Sequence, residues 1–168
     1  MPIRPATTAD VPAITAIYNH AVLNSTASFD MEPKSIQDRR LWLEARLPQH
    51  PVLVADEDGV VVGWGALSPY SERPAYARTA EISVYVDETH QLRGLGRSLT
   101  VALLQTAAHV GLHSILARIC TENGGSIAMV RSLGFTEAGT MREVGCKFGR
   151  WLDVATWEFI VTDDPCVS

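Results

Sequence analysis

The sequence has few cysteines, no long apolar run and no excess of positive charge, and each shortage excludes a class of protein. Cys120, Cys146 and Cys166 are an odd set without C-x-x-C spacing, so neither a disulfide framework nor a zinc site is expected. No apolar stretch approaches the roughly 20 residues that span a membrane. The formal charge of −5 argues against nucleic-acid binding. The opening MPIRPATTADVPAI lacks the basic start and apolar core of a signal peptide, so a cytoplasmic protein is expected.

The length of 168 residues suits one domain, which we expect to cover residues 1–168. The five histidines show no ligand spacing, so no metal is expected either.

Hydrophobic periodicity predicts the element order β α α β β β α β α β β. A stripe at Ile14, Ile17, Ala21 and Val22 indicates the first helix. Ser35 and Asp38 form a capping box for the second helix, whose inner side is expected at Ile36, Leu43 and Leu47. Apolar runs around Glu57-Asp58-Gly59 indicate a hairpin. The later elements are expected at residues 79–86, about 95–110, 114–120, 125–133, 135–144 and 152–161. This order predicts an α/β fold of the α+β type, with a mixed, mostly antiparallel sheet and helices on both faces.

Residues 84–100, VYVDETHQLRGLGRSLT, place two glycines where a strand and loop lead into a helix. A P-loop is excluded because Arg97-Ser98 stands where Lys-Ser/Thr is needed. The dinucleotide fingerprint is rejected because Leu99 replaces its third glycine. Free backbone N–H groups and the helix dipole favour an anion at this point, although Gly94 and Gly96 could also serve only to shape a turn.

The pattern V-Y-V-x4-Q-x-x-G-x-G resembles the acetyl-CoA-binding motif of the GNAT family of N-acetyltransferases. The resemblance covers nearly the whole chain. Three segments, STASFDMEPKS, PAYARTAEISVYV and CKFGRWLDVATWE, look like the phosphinothricin and methionine sulfoximine acetyltransferases of that family. The resemblance implies a GNAT fold, acetyl-CoA as cosubstrate and a homodimer. It also implies a set of cofactor-binding residues: Val84, Tyr85, Val86, Leu92, Arg93, Gly94, Leu95, Gly96, Arg97, Asn123 and Ser132. Asn123 could also act only as a helix N-cap.

Glu81 is the candidate catalytic base. Acetyl transfer needs a neutral amine, whose pKa is roughly 10 when free, and a carboxylate can take the proton. Glu81 lies in the apolar strand TAEISVYV, where an unpaired carboxylate is costly, and the resembling enzymes carry a glutamate there. The alternatives are a salt bridge to Arg78 or a solvated edge position.

The chain departs from the resembling enzymes at two places. Val130 stands where they commonly have Tyr or His as the acid that protonates the leaving thiolate, so no acid is assigned; Tyr85 or a water remains open. In PAYARTAE the order Tyr76-Ala77-Arg78 replaces Tyr-Arg, which weakens the inference that arginine clamps a substrate carboxylate.

Four substrate-binding residues are expected: Phe29, Tyr76, Ala77 and Arg78. The resemblance implies that KFGRWLD lies near the substrate pocket and the dimer contact; the alternative is a simple turn with Trp151 in the core and Arg150 paired to Asp153. The sequence therefore predicts an acetyl-CoA-dependent N-acetyltransferase of a small amino-acid-like amine, using direct transfer. The alternatives are a GNAT enzyme for protein N-termini, lysines or polyamines, and a CoA-binding sensor without catalysis.

Overall fold

The computed structural model describes residues 1–161 and Cys166. Within that part, seven strands and four helices follow one another in the order that the sequence predicts. They are β1 (Ile3–Pro5), α1 (Val11–Asn24), α2 (Ile36–Glu44), β2 (Val52–Glu57), β3 (Val60–Pro69), β4 (Thr79–Val86), α3 (Leu95–His109), β5 (Ser114–Cys120), α4 (Gly124–Ser132), β6 (Thr136–Lys147) and β7 (Arg150–Ile160). None of these helices has the length and apolarity needed to cross a membrane.

The strands form a single sheet in the order β1-β2-β3-β4-β5-β7-β6. Strands β4 and β5 are parallel, joined by the crossover helix α3, and the other neighbours are antiparallel. The prediction of a mixed, mostly antiparallel sheet is thus confirmed.

Two apolar clusters show that helices cover both faces of the sheet. On one face, Ile14 and Tyr18 of α1 pack around Trp64 of β3. On the other face, Leu99 and Leu103 of α3 are fully buried, together with side chains from the central strands and α4. Packing in this second cluster holds the start of α3 in place, and the candidate site includes that helix start.

The inner side of α2 differs from the prediction. Leu43 packs against the cluster around Trp64, as predicted. Ile36 and Leu47 are 50% and 56% exposed, and Leu47 lies beyond the end of α2, so the expectation that these two face inward is wrong. Arg39 takes the inner position, with its guanidinium carbon 3.8 Å from the centre of the Tyr18 ring and 4.7 Å from that of Trp42. A planar cation can stack on aromatic faces while its aliphatic stem packs, which allows burial without a carboxylate.

The closing hairpin is longer than predicted. Strand β6 continues to Lys147 and β7 begins at Arg150, so the turn is Phe148-Gly149. Both turn residues have positive φ, 52° and 71°, which matches the right-handed twist of a two-residue hairpin.

The alternative interpretation of this hairpin is right about the turn but wrong about two side chains. Trp151 is 67% exposed rather than in the core. Arg150 pairs with Glu122, and Asp153 accepts a hydrogen bond of 2.7 Å from the backbone N–H of Glu143.

Candidate active site

A gap between β4 and β5 opens the centre of the sheet. Their ladder joins residues 79–81 to residues 114–116 and goes no further. Beyond it, β4 stays paired with β3 as far as Val86, and β5 stays paired with β7 as far as Cys120. The two halves of the sheet therefore separate, and residues 82–86 face the gap without a β5 partner in the ladder.

A cavity of about 460 Å³ occupies this gap. It is lined by parts of the loop after α1 (residues 26–30), of β4 (81–85), of β5 (117–120), of α3 and α4, and of the closing hairpin. The volume falls within the range of small-molecule sites.

The glycine loop before α3 has the backbone of an anion-binding site. Leu92 and Gly94 have φ of 62° and 80°, and Gly94 is the N-cap of α3. The Leu92 side chain is fully exposed, so only its backbone contributes to a local site. A turn through left-handed residues into a helix start presents successive N–H groups, including those of Leu95 and Gly96, to one anion.

Arg97 and Ser132 connect this helix start to the end of α4. Arg97 Nη1 donates a hydrogen bond of 2.7 Å to Ser132 Oγ, and Ser132 Oγ donates to the Met129 carbonyl at 2.7 Å. Arg93 is exposed beside the loop. Three predicted cofactor-binding side chains therefore lie around the glycine loop, whereas Leu95 is buried in the core and could contribute only its backbone.

Asn123 lies at the start of α4 and lines the cavity. Its Oδ1 accepts a hydrogen bond of 3.2 Å from the Ser126 N–H, so it is the predicted N-cap. Val130 of α4 is buried, with 3% of its surface exposed, and it also lines the cavity. Of the β4 residues expected to bind cofactor, Val84 and Tyr85 line the cavity, and Val86 sits beside Gly96.

Glu81 stands at the last rung of the β4–β5 ladder, on the cavity wall. It pairs with Arg118 of β5 through a hydrogen bond of 2.6 Å, and this bond raises the pKa of Arg118. The alternative of a pair with Arg78 is therefore not what is found. Glu81 and Arg118 side chains are 22% and 52% exposed, so both remain accessible from the cavity.

Sequence reasoning missed Arg118, because 37 residues separate it from Glu81. A signal was present, since SILARIC carries one charged residue in a mostly apolar strand. The crossover through α3 places that strand beside TAEISVYV. Leu116 is the Glu81 partner in the ladder, so Arg118, two residues on, points to the same face.

A further part of the cavity wall is the loop 26–30, which two networks hold in place. The Tyr18 hydroxyl, whose pKa is raised by burial and by Asp30, donates to the Asp30 carboxylate. Lys147 is buried, and its Nζ donates to the carbonyls of Ser25 and Ser28 at 2.8 and 2.6 Å. Burial lowers the pKa of Lys147.

Phe29 is the predicted substrate-binding residue that does line the cavity. Its ring rests against Gly145 of β6, where an added Cβ would lie 2.3 Å from the ring atom Cε2. The closing hairpin therefore positions the loop 26–30 through both Lys147 and Gly145.

The other three predicted substrate-binding residues are not among those that line the cavity. The Tyr76 ring packs on Tyr70, with centroids 5.2 Å apart, and Ala77 lies in the adjoining exposed turn. Arg78 Nε donates to the Gly111 carbonyl at 2.9 Å, at the end of β4 away from the gap. Arg78 therefore lies outside the cavity in a chain where Tyr76-Ala77-Arg78 replaces the Tyr-Arg order of the resembling enzymes.

Within the described residues, no group of three or more His, Cys, Asp or Glu side chains could hold a metal ion. The candidate site thus consists of a backbone anion cradle, a gap in the sheet and one paired carboxylate.

Comparisons with known proteins agree with this geometry. Residues 3–156 match the model of the acetyltransferase (GNAT) domain. The chain is 44% identical to an L-methionine sulfoximine/L-methionine sulfone acetyltransferase of Salmonella typhimurium, over 92% of this chain and 91% of that one. It is 40% identical to a phosphinothricin N-acetyltransferase of Streptomyces viridochromogenes, over 93% and 85%. An acetyltransferase structure from Salmonella typhimurium, solved with acetyl-CoA, superposes with a TM-score of 0.97 at 40% identity, over 100% of this chain and 98% of that one.

Proposed function

The chain belongs to the GNAT acetyltransferase family, and on that premise we propose that it acetylates the amine of a small amino acid of the methionine sulfoximine or phosphinothricin type. One observation carries the proposal: the paired carboxylate Glu81 lines a cavity that Met129 also lines, and Met129 Sδ lies 3.5 Å from where a Cβ on Gly96, in the anion cradle, would stand. A base for the acceptor and a cradle for the donor thereby share one gap in the sheet.

The residues around the gap fit acetyl-CoA. The N–H groups after Leu92 and Gly94, with Arg93 and Arg97 beside them, would hold the pyrophosphate. The β4 residues Val84, Tyr85 and Val86 leave backbone groups facing the gap, where an extended pantetheine arm can pair as an added strand. Asn123 and Ser132 border the same groove from α4.

Glu81 then serves as the base in a direct transfer. Acetyl-CoA, when bound, supplies an acetyl group activated as a thioester. The acceptor ammonium loses one proton to Glu81, directly or through a water. The nitrogen next bonds to the acetyl carbon while the carbon–sulfur bond breaks, and the second amine proton ends on sulfur or in solvent. A backbone N–H near Val86 faces the negative charge that develops on the carbonyl oxygen.

We further propose one acetyltransferase domain over residues 1–168, of which 162–165 and 167–168 lie outside the described part, and a homodimer in the cytoplasm. The exposed Phe148 and Trp151, 50% and 67% accessible, support association through the closing hairpin. Free thiols at the three cysteines suit a reducing compartment. Molar mass by light scattering tests the dimer.

Thiol release from acetyl-CoA tests the function, with methionine sulfoximine, phosphinothricin, polyamines and peptides as acceptors. We expect release with the two amino acids. Release with peptides or polyamines alone would favour the alternative GNAT activities, and none with any acceptor despite tight CoA binding would favour a sensor.

Glu81→Gln tests the base. We expect kcat to fall about 10²- to 10⁴-fold while CoA affinity stays within about threefold, because the amide cannot accept the proton. Glu158→Gln is the matched control, since Glu158 is also a strand glutamate but is exposed on β7, outside the cavity lining. Unchanged turnover in Glu81→Gln would rule out the base role.

A further inference from the structure

The cavity lining has an unusual charge pattern. Among the described residues that line it, Arg118 is the single cation, facing two carboxylates, Asp30 and Glu81. Asp30 is already bound by the Tyr18 hydroxyl and lies 3.5 Å from Lys34 Nζ. Glu81 and Arg118 are therefore the pair that an incoming acceptor meets.

The pair is made in a way that leaves Arg118 able to bind a second anion. One nitrogen, Nη2, contacts Glu81 Oε2 at 2.6 Å, whereas a guanidinium carries five N–H donors in a planar fork. The Arg118 side chain is also more than twice as exposed as that of Glu81, 52% against 22%. A half-exposed arginine can turn from one carboxylate to another at little cost, because exposed ion pairs contribute little to stability.

We propose that Arg118 binds the carboxylate of the acceptor and that Glu81 holds it in place until the acceptor arrives. This proposal rests on the proposed function. An α-amino acid carries its ammonium and carboxylate groups on one carbon. Because Arg118 and Glu81 already touch, a carboxylate bound to Arg118 brings the amine to Glu81.

When Arg118 exchanges Glu81 for the acceptor carboxylate, binding of the acceptor frees Glu81 from its ion pair. When the acceptor carboxylate draws Arg118 away, Glu81 loses that bond as the ammonium arrives. An amine without a carboxylate leaves the Arg118–Glu81 pair intact and meets a cation beside the base.

Three other cations that could be considered, Arg78, Arg150 and Lys147, are engaged elsewhere, which favours Arg118 for the role. Arg78 donates to the Gly111 carbonyl, and Arg150 pairs with Glu122. Lys147 points its ammonium group at the carbonyls of the loop wall. The cavity therefore assigns to Arg118 the task that the sequence suggested for Arg78.

Arg118→Met keeps a long side chain and removes the charge. We expect kcat/KM for methionine sulfoximine to fall about 10- to 100-fold, mainly through KM, since a charged hydrogen bond or two is lost. For the matched amine that lacks the carboxylate, kcat/KM should stay level or rise. The des-amino analogue, a carboxylate without the amine, should inhibit the unmodified protein and lose at least about tenfold in affinity in the variant.

The controls separate this role from a structural one. Arg118→Lys should recover part of the activity, and Arg150→Met, which removes an arginine paired outside the cavity, should leave both acceptors unaffected. Thermal unfolding and acetyl-CoA KM check that Arg118→Met folds; if it does not, Arg118→Lys with the des-amino analogue decides.

Equal losses for both acceptors, or full inhibition of Arg118→Met by the des-amino analogue, would overturn the proposal. If the unmodified protein acetylates no amino acid, the proposed function fails instead, and the two outcomes are distinct.

Discussion

Gly145→Ala is expected to damage acceptor recognition while leaving acetyl-CoA binding intact. The added Cβ would lie 2.3 Å from Phe29 Cε2 and 2.6 Å from Cδ2, whereas carbon atoms approach to about 3.5–4.0 Å. The ring must therefore move by roughly 1 Å or more, and a shift of that size at a substrate wall can cost up to about 100-fold in rate. Because Phe29 is 38% exposed, the ring can give way, and the cost in stability should be only about 1 kcal/mol.

Steady-state kinetics with methionine sulfoximine and acetyl-CoA varied in turn would measure the effect. We expect kcat/KM for the acceptor to fall about 10- to 100-fold and KM for acetyl-CoA to stay within about twofold. A double-mutant cycle gives the control: in a Phe29→Ala background, Gly145→Ala should have no further effect.

Additive losses in that cycle would refute the reasoning, because they would show that Gly145 acts other than through the Phe29 ring. Unchanged acceptor kinetics in Gly145→Ala, with a lowered melting temperature, would show that the ring position does not matter for the acceptor.

Two further predictions concern the contacts that hold the site and the fold. Lys147→Met should lower the free energy of unfolding by about 1–2 kcal/mol in urea titrations and raise acceptor KM, because the buried Ser28 carbonyl loses its charged donor; unchanged values in both would contradict the clamp. The hydrogen bonds from Arg4 lower the pKa of Asp10 from 3.8 to about 2, so this carboxylate stabilises the fold above about pH 4 and stops doing so as the pH falls through about 2. Asp10→Asn should reduce the stability difference between pH 5 and pH 2 by on the order of 1 kcal/mol, a figure that allows for the solvent around Arg4. If calorimetry shows the same loss of stability in acid for the variant, other groups cause that loss.

Local patterns were enough to predict most of the fold. The capping box at Ser35 and the Asp-Gly hairpin at residue 58 depend on neighbours in sequence, and both occur as predicted. The inner side of α2 did not follow, because periodicity counts apolar residues and cannot foresee an arginine stacked on aromatic rings. Arg39 therefore displaced Ile36 from the position that its apolar character suggested.

The candidate site, too, was predictable where it depends on neighbours in sequence and unpredictable where it depends on distant residues. The glycine loop is contiguous in sequence, so its turn and helix start were predictable from Gly94 and its neighbours. The acceptor side is assembled across the sheet, where Arg118 meets Glu81 and Lys147 meets Ser28 over 37 and 119 residues. Such contacts depend on strand order and register, which a motif does not contain.

The valine at position 130 becomes understandable when the two proton transfers are weighed against each other. A thiol has a pKa of roughly 8.5, so the leaving sulfur can depart as a thiolate near neutral pH without a donor beside it. The acceptor amine, with a pKa of roughly 10, must lose a proton before it can attack, and this step needs a base in place. The cavity follows this order of need, since it keeps a carboxylate at Glu81 and places only the buried, apolar Val130 on the α4 wall. Burial raises the pKa of Tyr85, so its hydroxyl stays protonated. Its ring packs with Trp64 and Tyr18 on the α1 face of the sheet, which is the face of Glu81 and not that of Val130. The geometry therefore places the chemical demand on the acceptor side of the gap, where Glu81 and Arg118 meet.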